Sequence, residues 1–114
     1  MKKDDRIYLE HILECISDVR RYTRGGKKSF IKDDMAQNAC LRQLQVMAES
    51  TMRLSPATKA LAGKVDWGSI AGFRSILVHQ YLGDIDLEKV WAVVRNDLVS
   101  LEKVARALLR KRKP

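Results

Sequence analysis

Apolar residues return every three or four positions along nearly the whole chain, and the only prolines are Pro56 and Pro114. That periodicity is the signature of amphipathic helices and is incompatible with the two-residue alternation of strands. The clearest run holds Leu87, Val90-Trp91, Val94, Leu98, Leu101, Val104-Ala105 and Leu108 on one stripe for some three heptads, with Asp86 placed to cap it and an end near residue 110. A first helix is expected over 5–24, capped by Asp4 or Asp5 and carrying Ile7, His11-Ile12, Cys15-Ile16 and Val19, until Gly25-Gly26 supplies the left-handed geometry that closes it. After a short basic linker, Lys27–Phe30, a second helix covers 32–53, with Asp33 and Asp34 in its first turn and Met35, Ala39-Cys40, Leu44 and Met47-Ala48 on its apolar face. Ser55-Pro56 stops it and opens a short helical turn that Gly63 closes. Asp66 can cap a third helix over 67–81, apolar round most of its circumference and ended by Gly83. The expected fold is all-α: an up-and-down four-helix bundle with one short extra helix, forming a single domain over 1–114 with a flexible basic tail at 110–114.

The rest of the composition mainly excludes. No apolar run approaches the roughly 20 residues that span a bilayer, and no apolar signal region follows the charged N-terminus, so a cytoplasmic protein is expected. Cys15 and Cys40 fit no metal-ligand spacing and read as small buried thiols of a reducing compartment. No glycine-rich phosphate loop or metal cluster is present, so neither a cofactor nor a metal is expected. His11 lies on an apolar face and reads as core, as do Trp67 and Trp91. The formal net charge of +8 attracts polyanions, with clusters at Arg20-Arg21, Arg24, Lys27-Lys28 and Arg110 to Lys113. Basic ends are common on proteins that bind no nucleic acid, so charge alone does not decide a partner.

One octapeptide in the third helix holds unusual chemistry for an apolar segment: Arg74-Ser75-Ile76-Leu77-Val78-His79-Gln80-Tyr81. A histidine titrates near neutrality and can move a proton. A guanidinium is a permanent cation suited to a phosphate gaining charge in a transition state. Ideal geometry does not place the two on one face, since five residues rotate about 140° and rise about 7.5 Å. Local unwinding before Gly83, the reach of arginine, or a two-fold axis beside the helix can bring them together. The axis is preferred, because a helix apolar on most sides needs a second surface to bury against. Structural readings stand beside the functional ones: a salt bridge from Arg74 to Glu49 or Asp66, a helix-end His79, and a Tyr81 ring in the core.

The chain resembles the HEPN superfamily, specifically the HepT-type toxins of bacterial and archaeal toxin–antitoxin pairs. The likeness rests on Asp5-Arg6-Ile7-Tyr8-Leu9-Glu10-His11-Ile12, Arg53-Leu54-Ser55-Pro56, Trp67, Ile70-Ala71-Gly72, the Arg74, His79 and Tyr81 set, Asp86-Leu87 and Val90-Trp91. It implies a homodimeric, metal-independent endoribonuclease with its site in the cleft between protomers. Arg74 and His79 then hold the catalytic positions and Ser75 a supporting polar one. Tyr81 matches the tyrosine that a partner minimal nucleotidyltransferase (MNT-type) antitoxin modifies with AMP from ATP. Ser75 replaces the asparagine usual in such relatives, Ala48-Glu49-Ser50 a Gly-Glu-Ala, and Val65-Asp66-Trp67 an Ile-Pro-Trp. The alternatives are a non-catalytic HEPN protein that binds nucleotide or partners a nucleotidyltransferase, and an RNA-binding or purely structural dimer.

Overall fold

A computed structural model describes residues 3–68, 70 and 86–111. Among them every regular element is helical. Helix α1 (Lys3–Tyr22) is followed by the short α2 (Lys27–Lys32), then α3 (Asp34–Arg53) and the single turn α4 (Pro56–Ala60). Past the segment that carries Arg74 to Tyr81, α5 (Leu87–Ala92) passes through a π-helical turn, Val93–Asp97, into α6 (Leu98–Lys111).

Among the described residues, three long helices build the core. Leu9, Ile12, Ile16 and Val19 of α1 are fully buried against Cys40, Leu41, Leu44 and Met47 of α3 and Leu98, Leu101, Ala105 and Leu108 of α6. Asp5 near the start of α1 bonds to Ser55 just beyond α3, so these two helices run antiparallel. Arg20 near the end of α1 reaches Glu102 in the first turns of α6, so this pair is antiparallel as well. Helix α1 thus lies between α3 and α6. An all-helical bundle is what the periodicity implies; its fourth long helix, expected over 67–81, lies almost wholly outside the described residues. Asp66 nevertheless stands at the N-cap position, its carbonyl accepting from the Ile70 N–H at 3.3 Å. No helix among the described residues is long and apolar enough to cross a membrane.

Several details depart from the sequence reading. The expected linker Lys27–Phe30 is the helix α2, which starts after Gly26 at φ 88° and buries Phe30. Asp33 lies outside α3 as its N-cap, accepting from the Ala36 N–H at 3.1 Å, so that helix begins two residues later than expected. The Gln37 amide nitrogen donates to the Phe30 and Ile31 carbonyls at 2.9 and 3.0 Å, supplementing the Asp33 N–H on Phe30 and giving a donor to the end of α2. Met35 is 80% exposed and Ile7 44%, so neither joins the core. His11 is exposed rather than buried. The buried stripe of α1 runs Asp5, Leu9, Ile12, Ile16, Val19, and position 11 is rotated roughly 100° from one member and 200° from another.

The last helix is not continuous either. Val90 and Leu98 are both buried, yet eight α-helical residues overshoot alignment by roughly 80°. The wider winding of the π turn takes up that excess and keeps both on the core face. Trp91 is half-buried, its ring 5.5 Å from that of Phe30. Arg110 and Lys111, expected in the basic tail, form the last turn of α6, and residues 112–114 lie outside the described residues.

Candidate active site

Arg74, Ser75, His79 and Tyr81 all lie outside the described residues, as do the contacts proposed between Arg74 and Glu49 or Asp66. What is described is the frame that holds both ends of their segment. At its start, the Trp67 indole N–H donates to the Lys59 carbonyl at 3.2 Å, clamping the segment onto α4. At its far end the Asp86 carboxylate caps α5, accepting from the Lys89 N–H at 3.2 Å. Two residues on, Glu88 pairs with Lys27 of α2 at 2.7 Å.

Helix α4 is itself held from across the bundle. Asp5 is 2% exposed and one of its carboxylate oxygens accepts from the Ser55 N–H at 2.8 Å. The other accepts from the Ser55 and Thr58 hydroxyls, each at 2.7 Å. The Thr58 N–H in turn donates to the Ser55 oxygen at 3.3 Å, the cap of α4. Each hydroxyl has one proton to give, and both aim theirs at the carboxylate. A buried anion is tolerated because its lone pairs are met by donors. The chain of contacts from Asp5 through Ser55 and Thr58 to Lys59 and Trp67 therefore fixes where the candidate segment leaves α4.

Sequence reasoning gave Asp5 a capping role and assigned Thr58 none. The signal was there: Asp5 extends the stripe of Leu9, Ile12, Ile16 and Val19 by one more helical step, which places its side chain inward. Beside the start of the segment lies a groove of about 350 Å³ lined by Lys64, Val65, Asp66, Ile70, Asp97, Ser100, Leu101 and Val104. The π turn supplies Asp97 to it, and such turns recur at functional sites.

The remaining reactive groups are quiet. Cys15 and Cys40 are free and buried, as expected. Burial, reinforced by Asp18 and Glu14, pushes the Cys15 thiol up to about 11, and burial pushes Cys40 to about 12, so neither is a thiolate at neutral pH. Among the described residues no three His, Cys, Asp or Glu side chains could hold a metal ion.

The family model described as Ribonuclease HepT-like matches residues 12–108, a span that includes Arg74, His79 and Tyr81. The chain belongs to the HepT-like family. It is 33% identical, over 97% of its own length and 99% of the relative's, to "Putative RNase TTE0752" of Caldanaerobacter subterraneus subsp. tengcongensis. It is 30% identical to "Putative RNase MJ1380" of Methanocaldococcus jannaschii, with 90% and 94% of the two chains covered. With "Probable ribonuclease HepT" of Thermococcus cleftensis it shares 31% identity, over 90% and 93%. No solved structure matches this HepT-like chain significantly.

Proposed function

We propose that this HepT-like protein is a metal-independent endoribonuclease and the toxin of a toxin–antitoxin pair. The observation that carries the reading is the Arg-x4-His-x-Tyr set at 74, 79 and 81 within a chain matched to the HepT-like family over 12–108. Relatives named as ribonucleases support it.

The chemistry follows from the residue types. His79 takes the proton of the RNA 2′-hydroxyl as its oxygen bonds to phosphorus and the bond to the 5′-oxygen breaks, the departing oxygen taking a proton from water and a 2′,3′-cyclic phosphate remaining. Arg74 neutralises the charge that builds on the phosphorane, and Ser75 offers one hydroxyl beside it. Dependence on the 2′-hydroxyl spares DNA. Because Arg74 and His79 do not share a face of an ideal helix, the site is composite, completed by a second copy across a two-fold axis. Tyr81 is the acceptor of AMP from a nucleotidyltransferase antitoxin, and the anionic adduct beside His79 repels RNA phosphate. The pair works in the cytoplasm.

The test is cleavage of RNA by the purified chain in EDTA, alongside growth on expression. His79→Ala and Arg74→Ala should each lower the cleavage rate by about 10² to 10⁴ and relieve growth inhibition. Undiminished cleavage by both variants would overturn the site. Intact mass after incubation with the antitoxin and ATP should rise for wild type and stay fixed for Tyr81→Phe. Ser75 in the place of the usual asparagine keeps a second reading in play, a non-catalytic HEPN protein that binds nucleotide or partners a nucleotidyltransferase. A harmless wild type that leaves RNA intact favours that reading.

A further inference from the structure

We infer that the groove between α1 and α6 is a docking track for the phosphates of an RNA strand; this rests on the ribonuclease reading and assigns it a substrate surface of its own. The groove encloses about 270 Å³ and is lined by Arg6, Leu13, Arg106, Leu109 and Arg110. Of the five described residues that line it, three are arginines and none is an acid. Arg106 and Arg110 follow one another a helical turn apart, about 6 Å along the axis of α6, and Arg6 faces them from α1.

The local carboxylates do not cancel this charge. Glu10 pairs with Arg6 at 3.0 Å. Glu102 is shared between Arg20 at 2.8 Å and Arg106 at 3.3 Å, one carboxylate serving two guanidiniums. Arg110 has no ion-pair partner among the described residues. Among the described residues, four arginines against two glutamates leave this surface net positive by two, and Lys111 stands exposed at its end. Ion pairs as exposed as Arg6–Glu10 are weak and screened, so a phosphate can take over the guanidinium fork without a large penalty. Leu13 and Leu109 give the groove an apolar lining against which a base or sugar can rest.

An acidic protein is the competing occupant. A stable protein interface needs roughly 800 Å² per partner around an apolar centre, and two leucines in a shallow groove do not provide one. Regularly spaced cations suit a polymer with regularly spaced charges.

The experiment measures binding of a fluorescent 2′-O-methyl RNA oligonucleotide, which cannot be cleaved through a 2′-hydroxyl, by anisotropy across a salt series with the full chain. Arg106→Gln/Arg110→Gln should weaken binding about ten-fold at low salt and reduce the slope of log affinity against log salt by about 1.4, two lost phosphate contacts on a single strand. Arg42→Gln, exposed on α3, is the control for bulk charge. Arg110→Gln alone, near the exposed end of α6, gives a version of the test that cannot fail through misfolding of the core, and should weaken binding by a smaller factor. Affinity and slope equal to wild type, or a loss no greater than for Arg42→Gln, would overturn the track. So would wild-type protein that binds no RNA, or groove variants that keep RNA but lose an acidic antitoxin. Wild-type cleavage is scored separately. Cleavage with unchanged binding in the variants defeats the track alone, and groove-dependent binding without cleavage defeats the ribonuclease reading alone.

Discussion

Where the α1–α3 pair meets α4, the Asp5 carboxylate is 2% exposed and takes hydrogen bonds from two hydroxyls and a backbone N–H. Where the same pair meets α2 and the later helices, the charges stand in solvent: Lys27–Glu88, with side chains 46% and 69% exposed, and Arg20–Glu102, 44% and 22% exposed. The second end is held instead by the neutral Gln37 amide and the Phe30–Trp91 ring contact. A charge out of water fixes geometry because its donors have no water to turn to, whereas a charge in water trades partners freely. The start of the candidate segment hangs from the rigid end through Trp67, and its far end leads into α5 at the other.

The largest effect should come from the buried carboxylate. Asp5→Ala leaves three donors without their acceptor and should cost about 3 kcal/mol, read as a lower denaturation midpoint in urea. If the cluster also sets where the candidate segment begins, RNA cleavage by the folded fraction should fall too. A loss below about 1 kcal/mol would put Asp5 on a par with the exposed pairs and erase the contrast. Gln37→Ala is intermediate, removing two neutral bonds at the other end for about 1–2 kcal/mol without altering cleavage. The smallest effect belongs to the half-buried Glu102. The Arg20 hydrogen bond, helped by Arg106, holds the Glu102 carboxyl below its ordinary value of 4.5. Its folded form is thus stabilised above that ordinary value, and the contribution drains away as pH falls through the depressed one. Glu102→Gln should melt slightly below wild type at neutral pH, and the gap should close on acidification. A gap that persists in acid would mean that packing, not charge, separates the two.

Much of this architecture could be read from residue spacing, because buried positions of a helix repeat on a period that sequence displays directly. Leu9, Ile12, Ile16 and Val19, or Leu98, Leu101, Ala105 and Leu108, need only a helical wheel. What escaped depended on partners distant in sequence. Nothing near Asp5 announces that Ser55 and Thr58 will meet it, and Gln37 acquires its role only because α2 ends against it. His11 and Met35 misled for a related reason: an apolar neighbourhood in sequence spans more of the wheel than the core covers. The candidate residues Arg74, Ser75, His79 and Tyr81 were legible as chemistry but not as geometry. Five positions along one helix do not bring a guanidinium and an imidazole together, and a symmetry partner is invisible to spacing.

The π turn at Val93–Asp97 bears on how this chain tolerates changes of length. Val90 and Leu98 are separated by one residue more than a heptad, and seven α-helical residues fall only about 20° short of two full turns. Deleting a single exposed residue such as Asn96 would let an ordinary α-helix pass through the same stretch. The core positions on either side would keep their facing, and α6 its bed against α1. The same deletion inside α6, at Val99 or Ser100, would turn Leu101, Ala105 and Leu108 out of register with Leu98. Single-residue length variation among relatives is therefore expected to collect at this turn, where it alters the rim of the groove near Asp97 and leaves the bundle intact.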